Sequence, residues 1–433
     1  MEPVQSNTNA AHGIAAGKTT RRVMVICALL LLASAVNYMD RQTLAVVSKR
    51  ITSEFQLSNE QYGWVEAVFG YSFAFGSIFW GFLVDRVSVR WVYPVGLLGW
   101  SLMGFLTGWA RDYDDLILCR GFLGFFESAH WPCGLKTTQA LLDPKGRGMG
   151  NSVLQSGTSI GAIMTPLVML SILTEDVGSW RIGFQGIAVV GSLWVLFWLW
   201  IVRDHDFHVH EHEVVPATSD SSAAQDPWWQ VLFERRFLLV LLMIVCINSM
   251  WQLLRAWLPK IMQESYTFGE SETLIFNSVW YAVTDVGCFA AGALTWWLTR
   301  NRWTLKGSRI ASLTLSVVLC SSLTLVPWIG GGALLLLVLL LAGAGALGIF
   351  PIYYSFSQDV SPRHQGKVTS IAATGGWIAS SQAQVLFGRL ADQTGRYDLG
   401  LVLVGLLPLV PLLALAWLWP DETAVPSQNH SPS

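Results

Sequence analysis

Apolar and polar positions along this chain fall in long blocks rather than in short alternations. Twelve windows of about 20 mostly apolar residues, the length that crosses a bilayer as a helix, lie near 22–46, 62–84, 90–110, 114–138, 149–172, 182–202, 237–259, 273–299, 306–328, 331–357, 366–388 and 398–419. They predict an all-α polytopic membrane protein with twelve transmembrane helices. One long polar stretch, 203–236, has six windows on each side. The expected organisation is a tail 1–21, a six-helix bundle 22–202, a linker 203–236, a second six-helix bundle 237–419 and a tail 420–433. The first tail, rich in Ala, Thr and Asn, reads as disordered. The apolar run from Val23 is followed by further spans rather than a small-residue cleavage site, so it is not read as a removable signal peptide.

An internal repeat supports two related bundles. Pro144-Lys145, Gly148, Ser152-Val153, Gly157 and Ile160 align, at a constant offset of 218, with Pro362-Arg363, Gly366, Ser370-Ile371, Gly375 and Ile378. Parallel repeats of this kind build many secondary transporters, which bind substrate between the halves.

Composition agrees: 52% of residues are hydrophobic and only 13% charged, too few charges to cover a soluble protein of this length. The six cysteines stand in apolar runs without a C-x-x-C pair and read as small hydrophobes. Orientation follows from where the cations sit. With the termini on one side of the membrane, 17 Lys and Arg fall on that side and seven on the other, leaving Arg41, Arg120 and Arg255 inside spans. The positive-inside rule then puts both termini in the cytoplasm of a plasma (inner) membrane.

A charge within hydrocarbon costs roughly 2.5–3.5 kcal/mol even on mild insertion scales, so the charges inside spans mark a cavity or a partner. The stretch Arg120–Lys136 carries Arg120 and Glu127 two helical turns apart, with His130 three residues further on the same side. Asp40 and Arg41 add a second such pair. The arginines are permanently charged forks suited to carboxylates; the acids can titrate in a low-dielectric site and so couple proton flow to transport. A static pairing that only fixes helix packing is the competing reading. His130 either assists a proton relay or is a packed, hydrogen-bonded residue, and Lys136 is expected to snorkel to the interface. Arg255 and Asp285 either pair with each other or leave Arg255 as a second anchor for an anion. Tyr38, Gln155, Thr158, Tyr353, Tyr354, Trp377, Ser381 and Gln384 are candidates for the substrate lining, as are Ser357 and Ser380. His205, His208, His210 and His212 in the linker read as part of a solvated loop rather than a metal site, and no cofactor or metal is expected. The linker's end, 227–236, resembles an interfacial amphipathic helix.

Gly81-Phe82-Leu83-Val84-Asp85-Arg86-Val87-Ser88-Val89-Arg90, between the second and third windows, resembles the G-x-L-x-D-R-x-x-x-R/K loop of the major facilitator superfamily, with Ser88 where Gly is common. Gly81 would allow close helix approach, and Asp85, Arg86 and Arg90 would form a charge cluster that latches the halves. Asn37-Tyr38-Met39-Asp40-Arg41 resembles the N-Y-x-D-R motif of the anion:cation symporters. Arg120, Gly124, Glu127 and Pro132 resemble that family's fourth-span pattern. Trp180-Arg181, Trp257-Leu258-Pro259-Lys260 and Asp285-Val286-Gly287 match it too. The resemblance covers about 22–419 and leans towards hexuronate transporters. It implies Asp40 and Glu127 as protonation sites, Arg41 near substrate and Arg120 as a carboxylate's partner.

The function expected is proton-coupled symport of a small organic anion, most simply a hexuronate or aldonate, by a monomer in lipid with no nucleic-acid partner. A uniporter, exchanger or exporter, or a non-transporting membrane sensor, are the alternatives. No H-E-x-x-H, paired-Asp or Ser/His arrangement points to an enzyme.

Overall fold

The computed structural model describes residues 8–142, 147–203, 228–361 and 365–420. The histidine cluster of the linker, the C-terminal tail after residue 420, and the Pro144-Lys145 and Pro362-Arg363 starts of the repeat lie outside the described residues. Those described form helices and connecting turns, with no strand. The helices are α1 (Thr8–Val46), α2 (Ser48–Glu54), α3 (Asn59–Arg86), α4 (Val89–Thr107), α5 (Tyr113–Glu127), α6 (His130–Leu141), α7 (Arg147–Ile172), α8 (Trp180–Ile201), α9 (Arg235–Glu264), α10 (Glu270–Arg300), α11 (Leu305–Ser321), α12 (Ala333–Gln358), α13 (Gln365–Thr394), α14 (Asp398–Leu406) and α15 (Leu409–Leu418). Every apolar window holds helix. Nine helical stretches among the described residues are long and apolar enough to cross a membrane. The windows 90–110, 114–138 and 366–388 are not among those nine.

Local chemistry sets the boundaries. Ser58 caps α3 by accepting from the Gln61 backbone N–H while Gln61 returns a bond to Ser58, a capping box. Asp112 caps α5 and Thr304 caps α11 through their side chains. The fourth window is two helices rather than one. Pro132 has no N–H to offer the Ser128 carbonyl and crowds it, so α5 stops at Glu127 and α6 restarts at His130, with Pro132 in its first turn.

Two boundaries differ from expectation. α1 begins at Thr8, inside the stretch expected to be a disordered tail, where an Ala-rich sequence with high helix propensity extends the first span. The end of the linker is a short 3-10 segment, Trp228–Phe233, running into α9, rather than an amphipathic α-helix.

The packing repeats as the sequence does. Gly157 and Gly161 of α7 lie against α1 so closely that a Cβ would stand 2.3 Å from the Leu31 carbonyl oxygen and 2.4 Å from that of Ala35. Gly375 and Gly376 of α13 face the corresponding helix α9, but there a Cβ would first meet the side chains of Leu241 and Ile244, at 2.8 and 3.0 Å, rather than the backbone. Between the N-terminal helices (α1–α8) and the C-terminal ones (α9–α15), α3 packs on α13, α7 on α10 and α1 on α9.

Successive spanning helices end on alternate faces. One face carries Arg50, Asn59, Asp176, Glu270 and Asp392; the opposite face carries Asp85, Arg86, Arg309 and Asp359. The first is closed. Arg50 donates to Glu270 at 2.7 and 2.6 Å, Asp392 accepts from the Asn59 and Glu60 backbone N–H groups at 3.0 and 2.8 Å, Arg389 pairs with Glu60 at 2.6 Å, and Tyr397 donates to Asn59 at 2.6 Å. Beneath these bonds one hydrophobic cluster joins Leu44, Ile51, Tyr62 and Val65 to Met250, Leu254, Trp257 and Trp280. At the opposite face Asp85 is largely exposed, and its ion-pair partner, Lys136 at 3.6 Å, belongs to the same set of helices. The structure is therefore closed at the Arg50 face, and at the opposite face the Asp85–Lys136 contact does not cross between the two sets.

Candidate functional site

Five charged side chains buried between the two sets of helices lie in two layers. The deeper layer is Arg41 on α1 with Glu127 at the end of α5. Arg41 gives Nε and a terminal nitrogen to one oxygen, Glu127 Oε2, at 3.3 and 2.8 Å. Its guanidinium is walled by Tyr38, Phe69, Phe73 and Trp377, each ring centroid 5.0–5.5 Å away. Trp377 comes from α13, so the cage is built from both sets of helices. The second oxygen, Glu127 Oε1, is buried without a hydrogen-bond partner.

The second layer lies nearer the Arg50 face. Arg255 on α9 donates to Glu66 Oε2 on α3 at 2.6 Å, and Arg120 on α5 approaches the same oxygen at 3.6 Å. Arg255 also donates to Gln252 Oε1 at 2.8 Å and Gln42 Oε1 at 3.4 Å, and Gln42 bonds Tyr281. Arg120 is fully buried with its guanidinium 4.6 Å from the Phe69 ring, and none of its three nitrogens makes a hydrogen bond. Gly124 makes this proximity possible: a Cβ there would stand 2.3 Å from the Phe69 carbonyl oxygen, so α5 and α3 touch backbone to backbone. Asp40, fully buried beside Gly104, accepts no hydrogen bond at either oxygen.

The remaining candidates are spread. Ser381 Oγ donates to the Trp377 carbonyl oxygen at 2.8 Å. Gln384 accepts from Trp257 Nε1 at 2.6 Å and donates to the Gln252 carbonyl oxygen at 3.0 Å. Both thus engage their polar atoms in packing. Thr158 is buried and accepts from Gln155 Nε2 at 3.2 Å, with Gln155 itself exposed. Tyr353 is buried with an unpartnered hydroxyl, and the adjacent Tyr354 is half exposed. A Cβ on Gly81 would meet nothing within 4 Å, so close helix approach is not what this glycine supplies here. Arg86 donates to the Phe82 carbonyl oxygen at 3.2 Å, and Arg90 lies 5.2 Å over Trp91.

Several open readings are decided. Arg255 and Asp285 do not pair: Arg255 takes Glu66, and Asp285 accepts from Ser159 Oγ on α7 at 3.0 Å. His130 has both ring nitrogens engaged, with Ser34 Oγ at 3.0 Å and Tyr93 Oη at 2.7 Å, and packs edge-on to Trp100 and Trp131. That is a packed residue. Lys136 bonds the Val84 carbonyl oxygen and reaches Asp85. Glu66 is not among the candidates expected from the sequence; its signal there is a lone acid inside the second apolar window, of opposite charge to Arg255 in the seventh. Among the described residues no group of three or more His, Cys, Asp or Glu is placed to hold a metal ion.

The profile of the Major Facilitator Superfamily matches residues 30–383, most of the chain. The chain belongs to the Major Facilitator Superfamily. It is a membrane transporter, not an enzyme. The transporter is 26% identical over 409 residues to a probable L-galactonate transporter of Escherichia coli (strain K12), covering 90% of this chain and 88% of that protein. It is 24% identical over 392 residues to the hexuronate transporter of the same strain, covering 87% of this chain and 89% of that one. Among solved structures it resembles the D-xylose-proton symporter, with a TM-score of 0.75 at 14% identity over 93% of this chain and 99% of the other. That likeness supports the fold.

Proposed function

We propose that the protein is a proton-coupled symporter of a small organic anion, a sugar acid such as a hexuronate or aldonate, working by alternating access between two six-helix bundles, 22–202 and 237–419. Arg41 in its aromatic cage carries the reading. A fork-shaped cation walled by Tyr38, Phe69, Phe73 and Trp377 offers charge to a carboxylate and flat surface to a sugar ring. The names of the relatives, transporters of galactonate and hexuronates, support the substrate class.

Glu127 occupies Arg41 in the structure, so it and a substrate carboxylate compete for one guanidinium. Protonating Glu127 frees Arg41 for substrate; losing the proton restores the internal pair and releases substrate. This exchange ties proton to anion. Asp40, with no donor at either oxygen, sits where the uncharged acid form is far cheaper to bury than the carboxylate, and serves as the second proton carrier. Arg120 supplies the second cation. Tyr353, Tyr354, Gln155, Thr158, Ser381 and Gln384 flank the passage, and Asp85, Arg86, Arg90 and Gly81 form the latch loop at the face away from Arg50. In this reading the termini lie at that loop's face, the cytoplasm by the distribution of Lys and Arg, so the Arg50 face is external and its closure is the one an inward-facing state requires. The protein works as a monomer in the plasma membrane.

Reconstitution into proteoliposomes tests the reading. With an inward proton gradient, uptake of galacturonate or L-galactonate is expected to be concentrative, and Glu127→Gln to abolish accumulation. Equal accumulation by Glu127→Gln overturns the coupling role, and counterflow without accumulation by the parent protein supports uniport or exchange instead.

A further inference from the structure

Glu66 and Arg255 form a buried ion pair between opposite bundles that the coupling scheme does not use. The Arg41–Glu127 layer lies about 20 Å along its helices from the external face, counting 1.5 Å per residue from Glu54 and Tyr113; Glu66 and Arg255 lie only about 10–14 Å from it, counting from Asn59 and Glu264. They therefore stand between the aromatic cage and the external closure. One turn nearer that face, Tyr62 Oη donates to the Ala256 carbonyl oxygen at 2.9 Å, joining the same two helices.

The partners of each group divide unequally. Arg255 on α9 has Glu66 and Gln42 across the interface and Gln252 on its own helix. Opening the external face separates α9 from α1 and α3, and leaves Arg255 with Gln252 alone. Glu66 on α3 keeps Arg120 on α5 in the same bundle. Opening wets this layer, so the outward-facing arrangement leaves an unpaired guanidinium where external substrate enters, available to an incoming anion. In the inward-facing arrangement the partner of that guanidinium is Glu66.

We propose that Glu66 is an internal competitor for the substrate's anionic group: it occupies Arg255 and Arg120 when the protein faces inward, and leaves Arg255 open to receive that group when the protein faces outward. The inference rests on the transport reading above and deepens it. Arg255 captures an external carboxylate; closure of the external face returns Glu66 to Arg255 and expels that carboxylate towards the cytoplasm. No bond is made or broken; one anion replaces another on the same guanidinium.

Glu66→Gln keeps the size and a carbonyl acceptor for Arg255 but removes the competing charge. Binding of galacturonate, L-galactonate and sulfoacetate, read by thermal stabilisation of purified protein, is expected to tighten about tenfold or more for at least one of the three. Net uptake at saturating substrate is expected to slow by a similar factor, with counterflow retained. Arg255→Gln should weaken binding, and Glu66→Asp, which keeps the charge but shortens its reach, should fall between parent and Glu66→Gln. Unchanged or weaker binding by Glu66→Gln and Glu66→Asp, with normal net uptake, makes the pair a brace and overturns the proposal. If the parent binds none of the three acids, the transport reading fails in its present form. Binding gained in Glu66→Gln still supports the competitor, and none gained overturns it too.

Discussion

Arg41 is held by one oxygen of Glu127 and four aromatic rings, which makes its shape as important as its charge. A lysine would keep the charge but lose the planar fork that serves a carboxylate and the flat face that lies on Phe69 and Trp377. Arg41→Lys is therefore expected to weaken sugar-acid binding by about tenfold or more, about 1.4 kcal/mol or above, measured by ligand-dependent melting of purified protein; binding equal to the parent's shows that point charge alone suffices there. The burial of Asp40, Arg41, Arg120 and Glu127 is legible in the sequence because each is a charge inside an apolar window, where the inside of the protein is the favourable place for it. Glu66 carries the same signal, an acid inside the second apolar window, and its partner Arg255 stands in the seventh. His130 was not legible. Only its two hydrogen-bond partners, Ser34 and Tyr93, from two other helices, show that it is a packed residue.

At the scale of elements the glycines sort by what faces them. Gly161 faces the Ala35 carbonyl oxygen, a backbone atom that cannot swing aside, whereas Gly81 faces open space. Gly161→Val is expected to force α7 off α1 at a cost of about 1–3 kcal/mol, lowering the melting temperature in detergent and the yield of monodisperse protein. Gly81→Ala should leave both unchanged, because nothing within 4 Å resists a methyl group; a large loss there would mean that another conformation packs that glycine. The repeat makes Gly157 and Gly375 equivalent from sequence alone, and both face the first helix of their set, Gly157 against the α1 backbone and Gly375 against a leucine side chain of α9. The break between α5 and α6 was also written in the sequence, in Pro132, yet a 20-residue hydropathy window averages over it. Helix existence was thus readable throughout, while the break and the early start of α1 depended on single-residue backbone chemistry that such a window does not resolve.

For the whole molecule, the property the sequence does not contain is which face is shut, because both arrangements use the same helices and nearly the same apolar surface. At the Arg50 face the closure combines a hydrophobic cluster with a polar rim, and the two contribute unequally. Exposed ion pairs such as Arg389–Glu60 contribute little and are weakened by salt. Arg50 differs: it is mostly buried and binds Glu270 across the interface while donating to the Thr174 and Asp176 carbonyl oxygens and to Ser179. That fixed geometry means Arg50 pays little entropy to hold Glu270, so the pair is worth more than the exposed one. Asp392 likewise places a negative charge on the N-terminal N–H groups of α3, a favourable end for an anion. Removing both, as Arg50→Gln with Asp392→Asn, is expected to take about 1–2 kcal/mol from the state closed at the Arg50 face and raise the population open there on the order of tenfold. Spin labels at Ser53→Cys and Ser271→Cys, exposed on opposite sides of that closure, would report a second, longer distance in the double variant. An unchanged distance distribution would mean that the apolar cluster beneath Arg50 holds the face shut by itself, and that the polar rim contributes only register.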